Sequence, residues 1–208
     1  MGGARVLARS LLLLTLVAAS LVLGERNVLA DVFTGPARLL GIPPGLALAI
    51  ARVESGWYPW CVNIEGRDYR PKSLAEAARL ARTALALGKS LDVGLMQINS
   101  YWLRKWRLPL ERVLEPRVNV VLGLTILKYE MRRFGATWKA VGAYHSKNPA
   151  RQKHYAQKVA RALASLHKED RGHGLKFGAA AQPFAKAGAS RKQTTTSTTT
   201  VRTLQGGH

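Results

Sequence analysis

A carboxyl group at the end of an apolar helical run is the first candidate for chemistry in this sequence. Glu54 follows the run Leu46–Ala51, at the edge of its apolar face. Three aromatic residues come directly after it: Trp57, Tyr58 and Trp60. Because apolar surroundings remove water from an ionised carboxylate, they raise its pKa towards the value that a general acid needs near neutral pH. The alternative is an exposed Glu54 paired with Arg52 or a nearby Lys.

Asp92 is the second candidate carboxyl group. It directly precedes the run Val93–Ser100, in which apolar residues alternate with uncharged polar ones. If this run is extended, Gln97 and Asn99 share one face, because side chains two positions apart point the same way. Two amides on one wall suit the hydroxyl and acetamido groups of a sugar. The alternative is a turn Asp in front of a buried segment.

Aromatic residues flank both segments and could stack on sugar rings, although each could equally be a packing residue: Trp57, Trp60, Tyr101, Trp102 and Trp106. The chain of 208 residues carries a net charge of +20. Residues 31–167 alone hold 22 basic and 9 acidic side chains. This charge indicates an anionic partner, such as nucleic acid, lipid head groups or an acidic polymer.

The single cysteine, Cys61, excludes an internal disulfide framework. The sequence also has no cluster of His and Cys residues at metal-ligand spacing. We therefore predict an activity that needs no metal and no cofactor.

The ends of the chain differ from its middle. Residues 1–30 have the pattern of a signal peptide, with two early arginines, an apolar run over 11–23 and small residues before Asp31. We expect export to the periplasm, with an uncleaved anchor as the alternative. Residues 168–208 are rich in Gly, Ala, Lys, Arg and Thr, and predict a disordered basic tail.

The middle of the chain follows a helical pattern that must position these groups. Apolar residues at helical spacing, bounded by Pro, capping residues and Gly, predict helices over 45–55, 73–87, 116–134, 138–144 and 150–166. Strand signals are weak and confined to 60–70 and 90–99. We expect a mainly α single domain over 31–167, with at most a small β ribbon.

Three motifs occur in order: VESG at 53–56, GLMQIN at 94–99 and AYHS at 143–146. Over roughly 40–167 the chain resembles the lytic transglycosylases with an SLT (goose-type, lysozyme-like) domain. It most resembles the small specialised members that accompany conjugation and type IV secretion machines. The family usually has Ala-Tyr-Asn-Ala-Gly where this chain has AYHSK at 143–147. The segment 92–100 is also similar to the one that carries the second carboxylate of animal-type lysozymes.

The resemblance implies a lysozyme-like fold and cleavage of the β-1,4 bond between N-acetylmuramic acid and N-acetylglucosamine in peptidoglycan. Glu54 would protonate the leaving oxygen and then take the proton of the muramoyl O6 hydroxyl, which closes a 1,6-anhydro ring. Tyr144 would hydrogen-bond Glu54. The residues implied to bind the sugars are Ser55, Met96, Gln97, Asn99 and Tyr144.

Three functions stay open. The first is a periplasmic lytic transglycosylase that opens the wall locally for an envelope-spanning apparatus. The second is a hydrolytic muramidase with Asp92 as the second carboxylate. The third is a non-catalytic, cationic wall-binding assembly protein. The expected partners are peptidoglycan strands and components of a secretion or conjugation apparatus. We expect no nucleic acid as main partner, since we find no basic recognition helix, and membrane contact only through the signal segment.

Overall fold

The computed structural model describes residues 31–173, so the predicted signal peptide and the tail beyond 173 lie outside the described residues. Residues 31–39 are helical and are called α1. The other elements are, in chain order, α2 (Pro44–Ser55), β1 (Val62–Ile64), β2 (Arg67–Tyr69), α3 (Leu74–Ala86), β3 (Leu91–Val93), β4 (Ile98–Asn99), α4 (Ser100–Trp106), α5 (Leu110–Leu114), α6 (Pro116–Phe134), α7 (Trp138–His145) and α8 (Pro149–His173).

The helix that ends next to Glu54 runs through the core. Pro44 occupies the first turn of α2, where a missing N–H costs no helical hydrogen bond. Gly56 ends the helix in the left-handed region at φ 62°, a conformation that glycine adopts at little cost. Residues 44–51 are all buried, and α8 packs along α2. The predicted helix over 45–55 is confirmed, and it begins one residue earlier, at Pro44.

The other predicted helices are also present, and three further helices were missed. Ser73 caps α3 by accepting a hydrogen bond from the Glu76 N–H. The sequence analysis did not predict α1, nor α4 and α5, which are only seven and five residues long. The last helix, α8, continues to His173, past residue 168, where we expected the tail to begin. That expected start is therefore wrong by several residues.

The β structure is a four-stranded antiparallel sheet in the order β2-β1-β3-β4. Both regions with strand signals contribute, so the predicted small ribbon is confirmed as a small sheet. The run from Val93 to Ser100 is not extended, as we had assumed for Gln97 and Asn99. It turns back on itself between β3 and β4, and Gln97 lies in the turn with φ 47°.

A buried amide on α6 holds this turn in place. The Asn119 side chain accepts a hydrogen bond from the Met96 N–H and donates to the carbonyls of Val93 and Val113. Gly94 packs directly against that amide, and a Cβ at this position would overlap it. The sheet and the helical core are therefore joined at the strand that carries Asp92. In the part of the chain that the structure describes, no helix combines the length and apolar character needed to cross a membrane.

Candidate active site

A cleft of about 1090 Å³ runs between the sheet and the helices α6 to α8. The end of α2 forms its floor, so the cleft contains the first candidate carboxyl group. Its lining includes most of the candidates from the sequence: Glu54, Asp92, Gln97, Asn99, Tyr101, Trp102 and Tyr144. Carboxyl, amide and aromatic side chains thus share one groove large enough for several sugar rings.

Glu54 lies at the last turn of α2 and its side chain is only 10% exposed. The alternative of an exposed Glu54 paired with Arg52 is wrong, because Arg52 donates to Glu169 and lies over the Trp57 ring. The Tyr155 hydroxyl donates a hydrogen bond of 2.6 Å to Glu54 Oε1. His145 Nδ1 lies 3.9 Å from the same oxygen.

Burial raises the pKa of Glu54 from 4.5 to about 8. The hydrogen bond from Tyr155 opposes this rise, since it stabilises the ionised form. The negative charges of Asp92 and Asp68 increase the pKa further, and the positive charge of Lys158 reduces it. Glu54 therefore holds its proton at neutral pH, as a general acid must.

Tyr155 is the residue of the site that the sequence analysis missed. It lies on α8, 101 positions after Glu54, and is buried. The His145 ring stacks on the Tyr155 ring, with centroids 4.5 Å apart and planes 3° apart. Burial lowers the pKa of His145, and the nearby Lys158 and Arg151 lower it further. The neutral imidazole thus covers the tyrosine that holds the acid.

Tyr144 has a different partner from the one that the resemblance implied. Its hydroxyl donates a 2.6 Å hydrogen bond to the Met96 carbonyl, not to Glu54. The expected bond between Tyr144 and Glu54 is therefore wrong, and Tyr155 makes that bond instead. Tyr144 links α7 to the β3–β4 turn and lines the cleft beside the acid.

Ser55 and Met96 were expected to line the sugar sites, but both side chains are buried beneath the cleft. The Ser55 hydroxyl donates to the carbonyls of Ala51 and Leu95, which ties the end of α2 to the turn. Met96 packs against Gly123 of α6. Both residues position the cleft instead of lining it.

Gln97 does line the cleft, and its position is fixed from within the turn. Its side-chain amide nitrogen donates to the carbonyls of Gly94 and Cys61. Cys61 itself is buried, and burial raises the pKa of its thiol to about 11, so the free thiol is unreactive.

Four polar side chains form one row across the sheet. The strand register places Asp68, Asn63, Asp92 and Asn99 side by side on β2, β1, β3 and β4. The Asn63 amide donates 2.6 Å to Asp68, and the Asn99 amide donates 2.8 Å to Asp92. Burial raises the pKa of Asp92, and the bond from Asn99 opposes that rise. The sheet thus presents alternating carboxylates and amides to the cleft.

The five flanking aromatic residues divide between the cleft and the core. Tyr101 and Trp102 line the cleft, and Trp106 stacks behind Trp102 at 4.6 Å. Trp57 and Trp60 pack against the hydrophobic core instead. Within residues 31–169, no group of three His, Cys, Asp or Glu side chains could hold a metal ion.

Comparisons with known proteins identify the family to which the chain is similar. A family model described as "Transglycosylase SLT domain" matches residues 32–164, which include every helix and strand named above except the first residue of α1 and the end of α8. The invasion protein IagB of Salmonella typhimurium is 31% identical over 138 residues, which cover 62% of this chain and 73% of the relative. The type IV secretion system protein virB1 of Brucella abortus is 32% identical over 94 residues, which cover 44% of this chain and 40% of the relative.

The family match, the helical fold with its small sheet and the buried carboxyl group in a sugar-sized cleft lead to one assignment. The chain belongs to the transglycosylase SLT domain family, with its lysozyme-like fold, and is a peptidoglycan lytic transglycosylase.

Proposed function

We propose that this enzyme cleaves the bond between N-acetylmuramic acid and N-acetylglucosamine and leaves 1,6-anhydromuramoyl ends, with Glu54 as both acid and base. The observation that carries the proposal is the environment of Glu54, which is nearly buried in the cleft and has a pKa of about 8. At neutral pH the carboxyl group is protonated. It can donate that proton to the glycosidic oxygen as the C1–O bond breaks.

The second step uses the same group in reverse. The acetamido oxygen of the muramic acid can stabilise the positive charge at C1 after the leaving sugar departs. Glu54 is now ionised in a site that favours its protonated form, which makes it an effective base. It removes the proton from the O6 hydroxyl as O6 bonds to C1. Glu54 thus recovers in the second step a proton equivalent to the one that it donated in the first, and no water is consumed. Tyr155 holds the carboxyl group through both steps.

A specific observation favours hydrolysis as the second candidate. Asp92 lies in the same cleft as Glu54, and its charge raises the pKa of Glu54. A second carboxylate beside the bond could activate a water molecule, as in hydrolytic glycosidases. This alternative predicts reducing ends instead of anhydro ends.

Product analysis tests the proposal. Purified peptidoglycan is digested with the native enzyme, and the released fragments are analysed by mass spectrometry. We expect anhydro ends from the native chain and from Asp92→Asn, and almost no product from Glu54→Gln. Glu111→Gln is the matched control, because Glu111 is an exposed glutamate on α5 outside the cleft. Reducing ends that disappear in Asp92→Asn would establish the hydrolase, and substantial cleavage by Glu54→Gln would reject Glu54 as the acid.

We further propose that the enzyme acts in the periplasm and opens the wall locally for an envelope-spanning apparatus. The names of the relatives, an invasion protein and a type IV secretion system protein, support this role. The signal-peptide pattern of residues 1–30 supports the location and a domain that begins near Asp31. Fusing residues 1–30 to alkaline phosphatase, which is active only after export, tests the location. An inactive fusion would contradict it.

A further inference from the structure

The two walls of the cleft carry opposite charge. The sheet side presents Asp68 and Asp92 within the row of amides. The opposite side, where α7 meets α8, presents three cations: Lys147, Arg151 and Lys158. We call these three residues the cationic wall. Lys147 belongs to the α7–α8 connection, and Arg151 and Lys158 belong to α8.

In the described part of the chain, the three cations of this wall form no ion pair. Several other basic side chains are ion-paired, for example Arg52 with Glu169, Arg112 with Glu115 and Arg133 with Glu130. Among the described residues, no carboxylate lies within ion-pair distance of Lys147, Arg151 or Lys158. The first turn of α8 also holds no acidic residue.

The field of this wall reaches the reacting groups. Lys158 lowers the pKa of Glu54, and Lys158 and Arg151 both lower the pKa of His145. An anion bound to these cations would therefore lie close to the bond that Glu54 protonates. Of the other charged groups that line the cleft, Arg133 is paired with Glu130, whereas Asp68 and Asp92 repel an anion and would direct it to the wall.

We propose that the cationic wall binds carboxylates carried by the lactyl arm of the muramic acid at the cleaved bond. This inference rests on the proposed function. The sugar rings of peptidoglycan are uncharged, so the lactyl arm is where the substrate bears negative charge: its own carboxylate when free, or the carboxylates of an attached peptide. The opposite charges of the two walls would then fix which face of the strand meets Glu54.

Binding to three ligands tests this inference. The Glu54→Gln chain provides a non-cleaving background, and affinity is measured by calorimetry at low and moderate salt. The ligands are peptide-bearing glycan fragments, fragments freed of peptide by an amidase, and a neutral N-acetylglucosamine oligomer. The test variant adds Lys147→Gln and Arg151→Gln. The matched control adds Lys153→Gln and Arg161→Gln, two exposed cations of α8 outside the cleft lining.

We expect the test variant to lose about three- to tenfold in affinity for a carboxylate-bearing ligand, the size expected for two exposed ion pairs, and less at higher salt. The neutral oligomer should bind unchanged, and the control pair should have no effect. A loss confined to peptide-bearing fragments identifies the peptide carboxylates, and one confined to peptide-free fragments identifies the lactyl carboxylate. A loss with both means that the wall accepts either.

Two results would overturn the inference. One is unchanged affinity for all ligands, and the other is an equal loss for the neutral oligomer. Failure here is separable from failure of the proposed function, which is judged by the anhydro ends released by the native enzyme. Anhydro ends together with charge-independent binding would reject the cationic wall alone. Their absence would reject the proposed function.

Discussion

The hydrogen bond from Tyr155 to Glu54 gives the most discriminating prediction. Tyr155→Phe removes one hydroxyl and keeps the ring that packs against His145. The lost bond stabilised the ionised carboxylate, so the pKa of Glu54 rises above its native value of about 8. In the proposed mechanism the reaction starts from protonated Glu54, so the loss of activity at alkaline pH should move to higher pH.

The size of the shift follows from the strength of the bond. A hydrogen bond to a charged acceptor contributes about 1.5–3 kcal/mol, and one pKa unit corresponds to about 1.4 kcal/mol. The alkaline limb should therefore move up by roughly one to two pH units. The rate at neutral pH should fall as well, since the carboxyl group loses the group that orients it and stabilises its ionised form between the two steps.

The assay is the pH dependence of kcat/KM on soluble glycan fragments, followed by the release of product. Tyr144→Phe is the matched control, because the Tyr144 hydroxyl bonds the Met96 carbonyl and not the acid. Its alkaline limb should stay at the native position even if its rate changes. If Tyr155→Phe leaves the limb unmoved, or if both variants shift it equally, Tyr155 does not set the ionisation of Glu54.

Three further predictions follow from the same contacts. His145→Asn removes the ring that covers Tyr155, so water reaches Glu54, its pKa falls, and the alkaline limb of kcat/KM moves to lower pH; a limb that moves upward would contradict this. Glu54→Gln should match the native stability at pH 4 and exceed it at pH 8 in urea unfolding. Between pH 4.5 and about 8 the folded native chain keeps the Glu54 proton that the unfolded chain loses, so its free energy of unfolding falls by about 1.4 kcal/mol per pH unit. Native and variant stabilities that change with pH in parallel would refute this. Gly94→Ala should cost about 2–4 kcal/mol in urea unfolding because its Cβ overlaps Asn119. Gly88→Ala is the control, because Gly88 also has a positive φ but open space around an added Cβ, and it should cost about 1 kcal/mol. Equal losses of stability in the two variants would exclude the overlap with Asn119 as the cause.

Local signals explain why the sequence predicted the acid. Pro44 and Gly56 mark the two ends of α2 within thirteen positions, and the apolar run between them identifies a buried helix. The position of Glu54 at the edge of that helix therefore follows from residues 44–56 alone, without any contact to a distant part of the chain. The aromatic residues that follow Glu54 do not bond its carboxyl group. Trp57 packs against the core, and the aromatic residue that bonds Glu54 is Tyr155 of α8.

Long-range packing explains what the sequence did not predict. Tyr155 meets Glu54 only because α8 lies along α2, and the helical periodicity of α8 marks its buried face without giving its partner. Within that face, Tyr155 is the one position with a hydroxyl among Val159, Leu163 and Leu166. A buried tyrosine needs a hydrogen-bond partner, which is the signal that could have drawn attention to it.

The turn at Gln97 was missed for a similar reason. Alternating polar and apolar residues usually indicate a strand, and they favoured an extended run from Val93. The buried side-chain amide of Asn119, twenty-three positions after Met96, accepts a hydrogen bond from the Met96 N–H and helps hold the chain in a turn at Met96. Gln97 still reaches the cleft, but from the turn, whereas Asn99 reaches it from β4, beside Asp92.

The two carboxyl groups of the cleft differ because they come from different kinds of element. Glu54 projects from a helix end that α8 covers, and its side chain receives a single strong donor from a buried tyrosine. Asp92 lies in the middle of the sheet row, where the side-chain amide of Asn99 donates a hydrogen bond to it. Burial raises the pKa of Asp92, and the bond from Asn99 opposes that rise. Two acids whose surroundings separate their pKa values take different roles in glycosidases. One acid that both gives and recovers a proton therefore suffices for an anhydro product, and Asp92 becomes essential only if water enters the reaction.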